Sequence, residues 1–267
     1  MAGFITLAAT VLGGQIMETI NNTELNITHV ATPEDLAVTA LDMFIKSANK
    51  AIQAKGTFNV AISGGQTPTK FFELLGATAE AGTVQWDRVH LFWVDERCVP
   101  PDAEASNYRL AAQTFLAKVP IPESNVHRMP GEWTDYAKAV RDYAGTIHRV
   151  FNLAPGQVPQ FDLIVLGMGP DGHVGSLFPN AYARFDTDAL VSAVYFAGGD
   201  YSRITLTHPV LCAASQLVVL VSGPEKAEIL RDVMQSELDE VKYPVHTLWP
   251  ILHKIAWVID AQAAKFL

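Results

Sequence analysis

The chain has 267 residues, 49% of them hydrophobic and 18% charged, with 19 Lys and Arg against 28 Asp and Glu for a formal net charge of −9. That length supports one large α/β domain with a full core, and the acidic balance speaks against nucleic-acid or anionic-membrane partners, which want a basic surface. Two cysteines, Cys98 and Cys212, make neither a disulfide framework nor a metal-ligand set, which fits a reducing cytoplasm.

Taken in chain order, residues 1–25 are expected to be a poorly ordered extension ahead of a single domain over residues 26–267. Phe4 to Leu12 is apolar, yet it is short for a bilayer span and lacks the basic residues that open a signal peptide, the first Lys or Arg being Lys46. Met17 is an alternative start residue. Thr32-Pro33-Glu34-Asp35 reads as a helix start, with a capping threonine, a first-turn proline and acids at the positive end. Leu36, Leu41, Phe44, Ile45, Ala48 and Ile52 follow it at helical spacing. Runs rich in Val, Ile and aromatics predict strands over 57–62, 89–94, 161–166, 189–196, 204–207, 217–221 and 255–259, and helical patterns cover 136–151 and 225–234. The alternation is that of strands joined by crossover helices, so the fold class is α/β with a mostly parallel central sheet.

Ligands of such sheets bind beyond the carboxyl ends of the strands, which directs attention to the loops that follow them. Ser63-Gly64-Gly65-Gln66-Thr67-Pro68 is a flexible turn with Thr67 placed to cap a helix and Pro68 in its first turn. Backbone N–H groups there suit an anion such as phosphate; an ordinary strand-to-helix turn is the alternative. Asp95-Glu96-Arg97 interrupts an apolar strand. Arg97 offers a rigid fork for phosphate or carboxylate, with Asp95 or Glu96 to orient it, and an internal ion pair or solvated loop is the alternative. Cys98 has no His or second Cys beside it in sequence and reads as a plain free thiol.

Gly167-Met168-Gly169-Pro170-Asp171-Gly172-His173 puts a titratable side chain on a glycine-rich turn after an apolar strand. The formal G-x-G-x-x-G in it is a weak dinucleotide signal, because Pro179 arrives within seven residues and leaves no room for the long helix that signature needs. As chemistry, His173 is a candidate general base and Asp171 a carboxylate to orient it. Ser176 lacks the G-x-S-x-G setting of a serine nucleophile. Arg203 and Lys226 supply cations, and Lys226 near a helix N-terminus is unfavourable without an anion beside it.

These blocks, together with Ser106-Asn107-Tyr108, Ser176-Leu177-Phe178-Pro179, Arg203-Ile204-Thr205-Leu206-Thr207 and Gly223-Pro224-Glu225-Lys226-Ala227, run in order from about residue 30 to the C-terminus and resemble the 6-phosphogluconolactonase family. The resemblance implies a Rossmann-like three-layer α/β/α core with a smaller strand-containing lobe. It also implies a sugar-phosphate lactone as substrate, hydrolysis of 6-phospho-D-glucono-1,5-lactone with His173 as base and Asp171 as its orienting partner, and no cofactor or metal. The 6-phosphate would fall to Ser63, Gly64 and Gly65 with Arg97, Arg203 and Lys226, and the oxyanion to backbone N–H groups at Gly167, Gly169 and Gly172. A cytoplasmic monomer or weak homo-oligomer is the expected form. The sibling glucosamine-6-phosphate deaminases are the rival reading, but they typically follow the histidine with Ile-Gly-Phe-Asn-Glu-Pro, where this chain has Val174-Gly175-Ser176-Leu177-Phe178-Pro179. A sugar-phosphate sensor without catalysis is a third reading. Val174-Gly175, where many members have Thr-Ala, and the N-terminal extension depart from the family pattern.

Overall fold

The apolar runs of the sequence become neighbouring strands in the computed structural model, which describes residues 9–12, 15–20, 23–179, 186–196 and 201–267. The chain opens with β1 (Ala9–Leu12), β2 (Gln15–Ile20) and β3 (Thr23–Val30), then α1 (Pro33–Lys55), β4 (Phe58–Ile62) and α2 (Thr69–Ala81). It continues through β5 (Val89–Trp93), β6 (Asp95–Arg97), α3 (Asn107–Ala111), β7 (Val126–His127), α4 (Tyr136–Phe151) and β8 (Leu163–Gly167). Next come β9 (Val191–Val194), β10 (Arg203–Leu206), α5 (His208–Ala213), β11 (Leu217–Val221), α6 (Ala227–Gln235) and β12 (Ile255–Asp260).

One sheet has the order β1-β2-β3-β12-β11-β8-β4-β5-β7, parallel from β3 to β7 and antiparallel where β1 and β2 add to its edge. A small antiparallel sheet has the order β6-β10-β9. The α/β class with a smaller strand-containing part is therefore as expected. Every residue of β4, β11 and β12 is buried, as a strand covered on both faces must be. Phe58, Phe92, Phe161 and Trp257 are among the fully buried side chains at the centre of the core.

The start of α1 is as expected: Thr32 Oγ1 accepts the Asp35 N–H at 3.1 Å, Pro33 opens the helix, and Gly56 closes it at φ +80°. Leu36, Phe44 and Ala48 turn to the core, while Leu41, Ile45 and Ile52 pack partly buried beside it. Within the stretch expected to be an extension, 9–12 and 15–20 run as strands, and β3 begins at Thr23. Polar residues at Glu24, Asn26 and Thr28 mask β3 in the sequence, although Leu25 and Ile27 are buried. β6 and β7 were also not anticipated, at three and two residues being too short for a pattern. Among the described residues no helix is long and apolar enough to cross a membrane.

Candidate active site

The chain visits β4 and β5, then returns to lay β8 on the other side of β4, so strand order reverses between β4 and β8. A crevice opens beyond the strand ends at such a point. Here the loops after β5, β4, β8 and β11, four consecutive neighbours in the sheet, enclose a cavity of about 320 Å³. Ser63 to Pro68, Arg97, His173 and Lys226 all line it, so four blocks spread over more than 160 positions converge on one volume.

The turn after β4 is tied down by the Ser63 N–H, which donates to Val165 O of β8 at 2.9 Å. Gly65 takes φ +99°, where a side chain would be strained. Thr67 does not cap α2 as expected. The helix begins at Thr69, whose own Oγ1–H donates back to Gly65 O at 3.2 Å, and no side chain caps the first turn. The positive pole of the α2 dipole thus follows directly on the turn that lines the cavity.

Arg97 is held by two acceptors: its Nη1 donates to Ala105 O and to Asn107 Oδ1, both at 2.8 Å. The expectation that Asp95 or Glu96 orients the guanidinium is corrected, because both carboxylates are already engaged. Glu96, buried, accepts the N–H groups of Arg97, Asn107 and Tyr108 at 2.7–2.8 Å and the Ser106 hydroxyl at 3.1 Å, and so caps α3. Burial pushes its pKa up, with those N–H groups opposing. Asp95 accepts the Ser176 Oγ–H at 2.7 Å and thereby links β6 to the histidine loop. Asn107 donates Nδ2 to Asp95 O at 2.9 Å, and a Cβ on Gly64 would fall 1.9 Å from Asn107 Oδ1. Glycine at 64 thus lets the turn after β4 approach the Asn107 side chain that holds Arg97.

In the loop after β8, His173 Nδ1 lies 2.5 Å from Asp171 Oδ1, leaving Nε2 for the cavity. Burial works against the Asp171 carboxylate, but the hydrogen bond and charge of His173 outweigh it and hold its pKa below the ordinary value. A Cβ on Gly169 would come within 2.1 Å of His173 Nδ1, so the ring occupies the space a side chain there would need. Gly172 turns the chain at φ +78°. The Gly169 N–H donates to His173 O at 2.8 Å and the Gly172 N–H to Gly169 O at 3.1 Å. Those two groups shape the loop and are spent within it, which corrects their expected part as oxyanion donors. Residues 173–179, directly after Gly172, form no helix, which does not suit a dinucleotide-binding turn.

Lys226 closes the cavity from a short 3-10 turn ahead of α6. Burial pulls its pKa down, with the Glu225 and Asp171 carboxylates opposing. An anion entering the cavity would relieve that cost. Arg203 is a correction: it is buried in β10, in register with Arg97 of β6, and is not among the residues lining the cavity. Its Nη1 donates to Tyr201 O at 2.6 Å and its guanidinium lies 5.6 Å over the Phe196 ring. Burial pushes the Cys98 thiol up to about 11, in keeping with a plain thiol.

Residues 31–257 match the profile of a family described as glucosamine-6-phosphate isomerases/6-phosphogluconolactonase. The chain belongs to this family. A 6-phosphogluconolactonase of a Nostoc species is 35% identical over 237 residues, covering 88% of this chain and 96% of that protein. One from a Synechocystis species is 36% identical over 218 residues, 82% of this chain and 88% of that protein. The crystal structure of 6-phosphogluconolactonase from Thermotoga maritima superposes with a TM-score of 0.72 at 27% identity, covering 88% of this chain and 98% of that one.

Of the family residues expected at the site, Ser63, Gly64, Gly65, Arg97, Gly167, Gly169, His173 and Lys226 line the cavity, and Asp171 stands behind His173. Asn107 and Glu225 line it too and were not singled out. The signal for Asn107 lay in Ser106-Asn107-Tyr108, where a buried polar residue opening a helix had a partner to find.

Proposed function

We propose that this chain hydrolyses 6-phospho-D-glucono-1,5-lactone to 6-phospho-D-gluconate, the second step of the oxidative pentose phosphate pathway. One observation carries the reading: a single cavity holds an anion cradle and, facing it, an Asp-oriented histidine with a free ring nitrogen. Kinship with the Nostoc and Synechocystis lactonases supports the same reaction class.

The 6-phosphate docks on the Ser63–Pro68 turn that leads into α2, with Arg97 and Lys226 as its counter-charges. Each charge-assisted contact there is worth about 1.5–3 kcal/mol when partly desolvated. His173 Nε2 takes a proton from water as the water oxygen bonds to C1 of the lactone. The tetrahedral oxyanion then reforms the carbonyl as the C1–ring oxygen bond breaks, and the imidazolium returns its proton to the departing ring oxygen. Asp171 holds the Nδ1 proton and stabilises the transient cation. Such general-base action contributes roughly 10²–10⁴-fold.

The test is hydrolysis of lactone generated in situ, with the spontaneous rate subtracted, for wild type, His173→Ala and Arg97→Ala. Loss of turnover with KM retained in the first, and a raised KM in the second, is the expected pattern. A wild-type protein that does not speed lactone opening would reject the proposal, and normal turnover in His173→Ala would reject the role of the histidine.

A further inference from the structure

Asp171 and Gly169 both meet the His173 ring on its Nδ1 side, and its loop is built on glycines, Gly172 and Gly175 both at positive φ. Something else must hold the plane of the ring. The ring of Phe178 lies 4.2 Å from that of His173, tilted by 42°. Phe178 belongs to the same loop and needs support from outside it. Phe196, just beyond β9, meets Phe178 edge-on at 5.0 Å and 88°. The buried guanidinium of Arg203 covers Phe196 from β10. A continuous chain of contacts therefore runs from the small sheet to the imidazole.

We infer that Phe178 is a positioning residue for His173, and that Arg203 acts on the reaction through Phe196 and Phe178 rather than by holding phosphate. This rests on the lactonase reading for its kinetic consequences, though not for its geometry. The aromatic contacts explain why Arg203 stands in the register pair of Arg97 yet stays out of the cavity. Through β6 and β10 the small sheet serves both halves of the site: it carries Arg97 to the anion cradle and braces the general base. Misplacing a reacting group by about 1 Å costs roughly 10²-fold in rate, so a few ring contacts that fix the imidazole have a large effect on turnover.

The test compares Phe178→Ala, Phe178→Leu and Phe178→Tyr by kcat, KM and the NMR signals of the His173 ring nitrogens. The expected result is a fall in kcat of about 10- to 100-fold in the Ala and Leu variants with KM within about two-fold, a shifted His173 ring signal, and recovery in Phe178→Tyr, which restores a ring. Thermal unfolding separates this from general collapse, since Phe178→Leu retains most of the packed volume. Unchanged kcat, kcat and KM failing together, or an unmoved His173 signal would each overturn the assignment. Should the wild type lack lactonase activity, the proposed function fails, and the NMR signal still decides the positioning role by itself.

Discussion

Adding one methyl group at position 169 tests the geometry of the proposed base directly. In Gly169→Ala the new Cβ would lie 2.1 Å from His173 Nδ1 and 2.2 Å from Cε1, whereas ordinary contact begins near 3.4 Å. The ring must retreat by about 1.3 Å, more than the 2.5 Å contact with Asp171 can absorb and still hold. A displacement on that scale costs about 10²-fold in turnover. KM should stay within about two-fold, because the cradle of Ser63 to Pro68 and Arg97 lies on other elements. Gly169 is not among the positive-φ glycines, so the backbone itself accepts alanine. Gly167→Ala is the matched control: it lines the same cavity, but a Cβ there meets nothing within 4 Å. Steady-state kinetics on lactone generated in situ, with thermal unfolding of both variants, reads the outcome. Near-normal kcat in Gly169→Ala, or equal damage in Gly167→Ala, would refute the reasoning.

The anion side yields a complementary split: in Gly64→Ala the Cβ would collide with Asn107 Oδ1, which holds Arg97, so KM should rise about 10- to 100-fold, the worth of a charge-assisted contact, with kcat much less affected. A kcat effect larger than the KM effect would show that Asn107 does not aim Arg97 for binding. Away from the site, His90 and His127 stack at the sheet edge with ring nitrogens 3.1 Å apart, and burial, then the charges of His90 and Arg149, hold His127 down from 6.5 to about 4. Between those two values the unfolded chain binds the extra proton, so this contribution to stability is full above about pH 6.5 and is lost as the pH falls towards 4. His127→Gln should flatten the dependence of Tm on pH across that window, and a profile parallel to wild type would reject the assignment.

Much of the site was legible because its chemistry is local. Glycine turns after apolar strands, a histidine two residues from an aspartate, and an arginine ending a strand are read from neighbours in the chain, and Asp171 does engage His173 as that spacing suggests. The main helix start and the parallel strands were legible for the same reason: capping and hydrophobic periodicity act over a few residues. Arg203 marks the limit. As a cation in a family-like block it has the chemistry of a phosphate ligand, and only the pairing of β6 with β10 puts Arg97 in the cavity while Arg203 is buried over Phe196. That neither neighbouring carboxylate orients the Arg97 guanidinium was equally invisible, since Glu96 is claimed by the start of α3 and Asp95 by Ser176, 81 positions away. Sequence by itself determined the α/β class, the candidate base and most of the residues that line the cavity. The tertiary structure decided which cations face that cavity and what packs on the histidine, because the order of strands in a sheet and the packing between distant loops depend on contacts that no local pattern encodes.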